Sequence, residues 1–121
     1  MQYLLLIYDA EQDLAKLPPA ELQKLHGDYM HFTEEIVASG HHVAGNALQP
    51  VQAATTLRTR NGKTVTTDGP FAETREQLGG YYLIEAANLD EALRIAARVP
   101  SVRTGSIEVR PIMDFTSPPA K

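Results

Sequence analysis

The chain has 121 residues, no cysteine and a formal net charge of −4, with 43% apolar and 21% charged residues. That length supports one core and leaves no room for a second domain, and the missing cysteines exclude disulfides, thiolate metal sites and cysteine nucleophiles. The 11 Lys and Arg are scattered through an acidic chain and form no basic face of the kind phosphate neutralisation demands, so no direct nucleic-acid binding is expected.

Residues 2–8 are apolar on both alternations, Leu4 and Leu6 on one side and Leu5 and Ile7 on the other, which predicts a central strand covered on two faces. The run is short, follows no basic segment and meets Asp9 at once, so it reads as a buried strand and not as a secretory signal. No apolar run approaches the roughly 18–20 residues of a spanning helix. A cytoplasmic protein without membrane contact is expected.

After a loop over 9–17, Pro18-Pro19 starts a helix, because proline is tolerated in the first turn where amide hydrogens have no partner. Leu22, Leu25, Tyr29, Phe32 and Ile36 recur at three and four residues and form a stripe that packs on a sheet, with Gly40 as the stop. Residues 43–48 read as a short strand. The β-branched runs 55–60 and 63–67 flank Asn61-Gly62, the pair suited to a two-residue hairpin because both positions must accept positive φ. The register sets Arg60 opposite Lys63, a like-charge pair that belongs in water.

A further strand follows over 81–86. Asn88 to Glu91 reads as a capping-box helix start, with Leu89, Ala92, Leu93, Ala96 and Val99 as its apolar stripe and Pro100 closing it. Over 106–111, Ile107 and Val109 point inward while Glu108 and Arg110 share the other face. A loose tail is expected over 116–121, leaving one domain over 1–115. The order β, α, β, hairpin, β, α, β predicts an α+β fold, a ferredoxin-like split βαβ with an inserted β-hairpin. Its two helices cover one sheet face, so the two-sided apolar strands call for a second subunit on the other.

Residues 68–82 read Asp-Gly-Pro-Phe-Ala-Glu-Thr-Arg-Glu-Gln-Leu-Gly-Gly-Tyr-Tyr. Gly69-Pro70 sets a tight turn that presents Asp68 at a defined place; a carboxylate held there serves chemistry or hydrogen-bonds its own turn. The alternating charges Glu73, Arg75 and Glu76 form either a solvated face or the mouth of a crevice. Gly79-Gly80 lacks the lysine spacing of a phosphate loop and precedes a strand, so close backbone packing accounts for it better.

The run from Thr67 to Tyr82 resembles the signature of the DGPF branch of the YCII-related family. The resemblance extends to the opening strand, the helix ending at Gly40, Ala47 to Pro50, Ala54 to Arg58 and Val109-Arg110-Pro111. It implies a small dimeric α/β barrel whose biochemical role is mostly undefined, with a His–Asp pair as the site in YCII-type members. The histidine of those relatives falls nearest Tyr29 here, with His26 one turn earlier on an adjoining face. Asp68 is then the candidate acid or base, with Tyr29 or His26 as partner, and Glu73, Arg75 and Arg110 are candidate ligand-binding residues.

His26 and His31 stand about 140° apart around a helix at roughly 100° per residue, and His41-His42 are adjacent in a turn, so no pair has the i, i+4 zinc spacing. No metal and no cofactor are expected. The functional readings are a small acid–base enzyme acting on a small organic molecule, a non-catalytic ligand sensor or regulator, and a stress-related oligomer. The resemblance links the second to extracytoplasmic-function-type sigma factors. A homodimer is expected in each case.

Overall fold

A computed structural model describes residues 1–116. Strand β1 (Gln2–Asp9) leads through a short helix α1 (Glu11–Ala15) into the long helix α2 (Pro19–Ala38), then β2 (His42–Ala47). A hairpin of β3 (Thr55–Arg60) and β4 (Lys63–Asp68) precedes β5 (Gln77–Glu85), helix α3 (Leu89–Ala96) and β6 (Ser106–Pro111). The antiparallel main sheet has the order β2-β5-β1-β6, and β3-β4 is a sheet of its own. This is the predicted ferredoxin-like split βαβ arrangement with its inserted hairpin.

Alternation along β1 decides where the core lies. Tyr3, Leu5, Ile7 and Asp9 are buried while Leu4, Leu6 and Tyr8 are only half-buried. The first three join Phe32 and Ile36 of α2 and Ala92, Ile95 and Ala96 of α3 in one core with Val99. The half-buried side carries Leu83 and the charged Arg110 opposite Leu4, with Glu108 opposite Leu6.

The hairpin forms as expected, with Asn61 at φ 53°, Gly62 at φ 76° and Arg60 opposite Lys63. Elsewhere the elements differ from the sequence expectation. The segment 9–17, expected to be a loop, holds α1, and Asp9 completes β1. The strand expected over 81–86 begins at Gln77, so the glycine pair lies inside it: Ile7 pairs with Gly80 and Tyr8 with Leu78, leaving Gly79 as a bulge. Gly80 is required by close approach, because a Cβ there would come within 2.9 Å of the Asn46 carbonyl oxygen.

Helix α3 starts on the expected capping box: Asn88 Oδ1 accepts from the Glu91 amide, and Glu91 Oε1 accepts from the Ala87 amide. Its buried face is rotated from the expected stripe, since Ile95 is buried whereas Leu89 and Leu93 are each 48% exposed. The tail expected over 116–121 lies, from 117 on, outside the described residues. No helix among the described residues is long and apolar enough to cross a membrane.

Candidate active site

The apolar stripe of α2 is buried at its C-terminal end, by Phe32 and Ile36, and open at its N-terminal end, where Leu22 is 36% exposed. The space left beside that open half is a cavity of about 530 Å³ between α2 and the β2-β5 side of the sheet. Leu14 of α1, Leu22, Leu25 and Met30 of α2, and bare backbone at Gly45, Gly79 and Gly80 supply much of its wall. Among these walls stand the polar residues Asp9, His26, Tyr29, Thr33, His42, Asn46, Tyr81, Tyr82 and Ser101. Polar groups set in apolar walls are the usual makeup of a small-molecule site.

Asp9 is a carboxylate at the end of an otherwise apolar strand, 7% exposed. Thr104 Oγ1 donates to its Oδ1 at 2.8 Å, and no protein donor reaches Oδ2 among the described residues. The backbone after Thr104 closes on the same group, because a Cβ at Gly105 would lie 2.6 Å from Asp9 Oδ1 and 1.9 Å from the Tyr8 carbonyl oxygen. Asp9 also borders a second cavity, of about 630 Å³, lined by Asp13, Glu21, Lys24, Asp28 and Arg103 among others. One carboxylate thus stands between an apolar cavity and a charged one.

The Tyr29 hydroxyl donates to Ser101 Oγ, and Ser101 is itself 2% exposed. Burial pushes the Tyr29 hydroxyl above its ordinary value of 10.0; the Ser101 hydrogen bond opposes that shift, and the negative charge of Asp9 adds to it. Tyr29 therefore stays a neutral hydrogen-bond donor at ordinary pH. Thr33 Oγ1 donates to the Tyr29 carbonyl at 2.9 Å and lies 2.7 Å from the Tyr82 hydroxyl, while the Tyr82 ring packs edge-on against Phe32 at 5.2 Å. On the sheet face shared with Leu6, across from which Tyr81 stands, Asn46 Nδ2 donates to the Tyr81 hydroxyl at 2.8 Å.

Of the residues singled out from the sequence, Tyr29 and His26 line this cavity, Tyr29 half-buried and His26 exposed one turn earlier on α2. Asp68 does not. It ends β4 opposite Thr55, is exposed, and its carboxylate makes no hydrogen bond or ion pair with the described residues. The turn, which the alternative reading has it hydrogen-bond, is held by the Gly69 amide on the Ala54 carbonyl and by Thr56 Oγ1 on the Gly69 carbonyl. Glu73 and Arg75 are exposed on the loop that follows, and Arg110 lies on the sheet face away from α2. No group of three or more metal-ligating side chains occurs among the described residues.

Asp9 is the residue that sequence reasoning passed over. Its signal was the alternation itself, since Tyr3, Leu5, Ile7 and Asp9 share one strand face and a carboxylate ending that series is directed to the core side.

A family model described as a YCII-related domain matches residues 1–116. An uncharacterised protein of Rhizobium meliloti is 40% identical over 114 residues, covering 93% of this chain and 92% of its own. Among solved structures, the 5-chloro-2-hydroxyhydroquinone dehydrochlorinase of Burkholderia phenoliruptrix, in complex with 2,5-dihydroxybenzoquinone, aligns over 96% of this chain and 97% of its own with a TM-score of 0.55. At 14% identity that likeness speaks for the fold alone.

Proposed function

The chain belongs to the YCII-related family, and within it we propose a small enzyme that moves a proton on a small organic molecule held in the cavity beside α2. The observation that carries this reading is that Asp9 and Tyr29 line one apolar cavity, one oxygen of the carboxylate held by Thr104 and the other without a protein donor among the described residues. Asp9 Oδ2 takes a proton from an O–H or activated C–H bond, and the bonding electron pair stays on the substrate. The neutral Tyr29 hydroxyl turns from Ser101 to the oxyanion that develops. The protonated Asp9, which exchanges with solvent while it holds the proton, returns it to another atom of the substrate, and the starting charges are restored. Asp9 takes the role expected of Asp68, because proton transfer requires proximity to the bound molecule. The dehydrochlorinase of the same fold, solved with a hydroxylated quinone, is consistent with small-molecule chemistry on this fold.

The test is a thermal-shift panel of small organic compounds, followed by NMR of solvent deuterium entering each bound compound. Asp9→Asn is expected to keep binding and to slow exchange by about 10²–10⁴-fold, the usual contribution of a positioned acid or base. Exchange that is unchanged in both Asp9→Asn and Tyr29→Phe refutes the assignment.

We propose in addition that the protein is a homodimer paired through the half-buried sheet face. Leu4, Leu6 and Leu83 form an apolar strip there that no helix of the chain covers among the described residues. A stable pair buries about 1,200 Å² or more. Light scattering at micromolar concentration that returns the monomer mass alone refutes it.

A further inference from the structure

Charge inside the cavity is one-sided. Asp9 is its carboxylate, and no lysine or arginine lines it among the described residues, in contrast to the neighbouring cavity, which has Lys24 and Arg103. A ligand that brought a carboxylate or phosphate into this space would lose its hydration without gaining a fixed cation and would meet Asp9 in a low-dielectric surrounding. The wall has a shape as well as a charge. Gly45, Gly79 and Gly80 bring side-chain-free backbone to the sheet side, and the aliphatic Leu22, Leu25 and Met30 stand on the helix side. A single ring between them packs on aliphatic side chains from one side and on backbone and the Tyr82 ring from the other.

We propose that the ligand is an uncharged single-ring molecule bearing a hydroxyl or carbonyl group, and that the cavity rejects its anionic counterparts through Asp9. This rests on the acid–base reading above and names the substrate class for that site. The ring lies between the backbone wall and the leucines, and its polar substituent is directed to Asp9 and Tyr29, where a hydroxyl donates to Oδ2 or a carbonyl accepts from the tyrosine. A volume of about 530 Å³ admits a ring with small substituents and falls within the roughly 300–1,000 Å³ of ordinary ligand sites.

A matched pair of probes tests the charge rule: 4-hydroxybenzamide and 4-hydroxybenzoate have nearly the same shape and differ by one negative charge. Calorimetric or NMR titration of the full chain, at about pH 7.5 so that the phenol of both probes stays neutral, is expected to show the amide binding at least about ten-fold tighter. Asp9→Asn is expected to shrink that ratio by raising affinity for the benzoate. Circular dichroism of the variant checks that it is folded, and if it is not, Asp9→Glu, which keeps the charge, is expected to keep the ratio. Equal or tighter binding of the benzoate by the wild-type protein overturns the charge rule, even where the exchange assay upholds proton transfer. Binding of neither probe at millimolar concentration overturns the single-ring class, and the acid–base reading then stands or falls on its own exchange assay.

Discussion

Replacing Gly105 by alanine sets a methyl carbon 1.9 Å from the Tyr8 carbonyl oxygen, 1.5 Å short of the 3.4 Å at which ordinary contact begins. The obstacle is backbone of the central strand, and it has nowhere to go: Tyr8 pairs with Leu78 on one side and Ser106 on the other. The loop entering β6 must move instead, and with it Thr104, whose hydroxyl holds Asp9 Oδ1. Overpacking of this kind costs about 1–3 kcal/mol or more, and loss of a hydrogen bond to a charged group adds about 1.5–3 kcal/mol. The expected destabilisation is about 3–5 kcal/mol, a fall in Tm of at least about 10 °C for a chain of this size. Urea unfolding and thermal melts measure it.

The control has the opposite sign. Gly27 lies within α2, and a Cβ added there would meet no atom within 4 Å, so Gly27→Ala is expected to gain about 0.5–1 kcal/mol from helix propensity alone. A Gly105→Ala protein within about 1 kcal/mol of wild type, or a Gly27→Ala protein clearly less stable than wild type, refutes the reasoning from close approach.

Because burial holds the Tyr29 hydroxyl above its ordinary value, the unfolded chain ionises first; stability is intact below about pH 10 and is lost as pH rises toward the folded value, and urea titrations should show Tyr29→Phe losing less over that window. Glu91 has the reverse sign: the Ala87 amide, with His41 beside it, holds its carboxyl below the ordinary range, so the cap contributes above about pH 4.3 and is lost as pH falls, with faster amide exchange at Ala87 as the readout and a flatter profile in Glu91→Gln. Gly62→Val forces a β-branched residue to φ 76° and should cost about 1–2 kcal/mol within the hairpin, speeding amide exchange across Thr59 and Thr64 while the global melt stays in place; a matching fall in Tm would show the hairpin to be coupled to the core.

The fold was legible because its signals are local and periodic. The α2 stripe, the Asn61-Gly62 turn and the Asn88 capping box each declare themselves within a few residues, and the strand order follows from the element order. The site was legible only in part. Tyr29 stands out on the α2 stripe and His26 on the face adjoining it, but the case for Asp68 rests on turn chemistry, which fixes a backbone without saying what the side chain faces. Asp9 looks like the residue that ends a strand; its burial depends on Thr104 and Gly105, some 95 positions away, and no local window holds all three. The rotation of α3 has a similar cause. Leu89 and Leu93 satisfy the apolar pattern as well as Ile95 does, and packing against β6 and the core decides which face turns inward.

The β3-β4 ribbon has a sheet to itself and contributes no side chain to the core. A two-stranded ribbon is marginal in isolation, so its order depends chiefly on its own turn and cross-strand pairs. Selection on the core therefore places little restraint on it. Its length, its tip and the charges of Arg58, Arg60 and Lys63 are free to drift or to be recruited while the main sheet and its cavity stay unchanged, so relatives sharing this scaffold are expected to diverge first in what the arm carries.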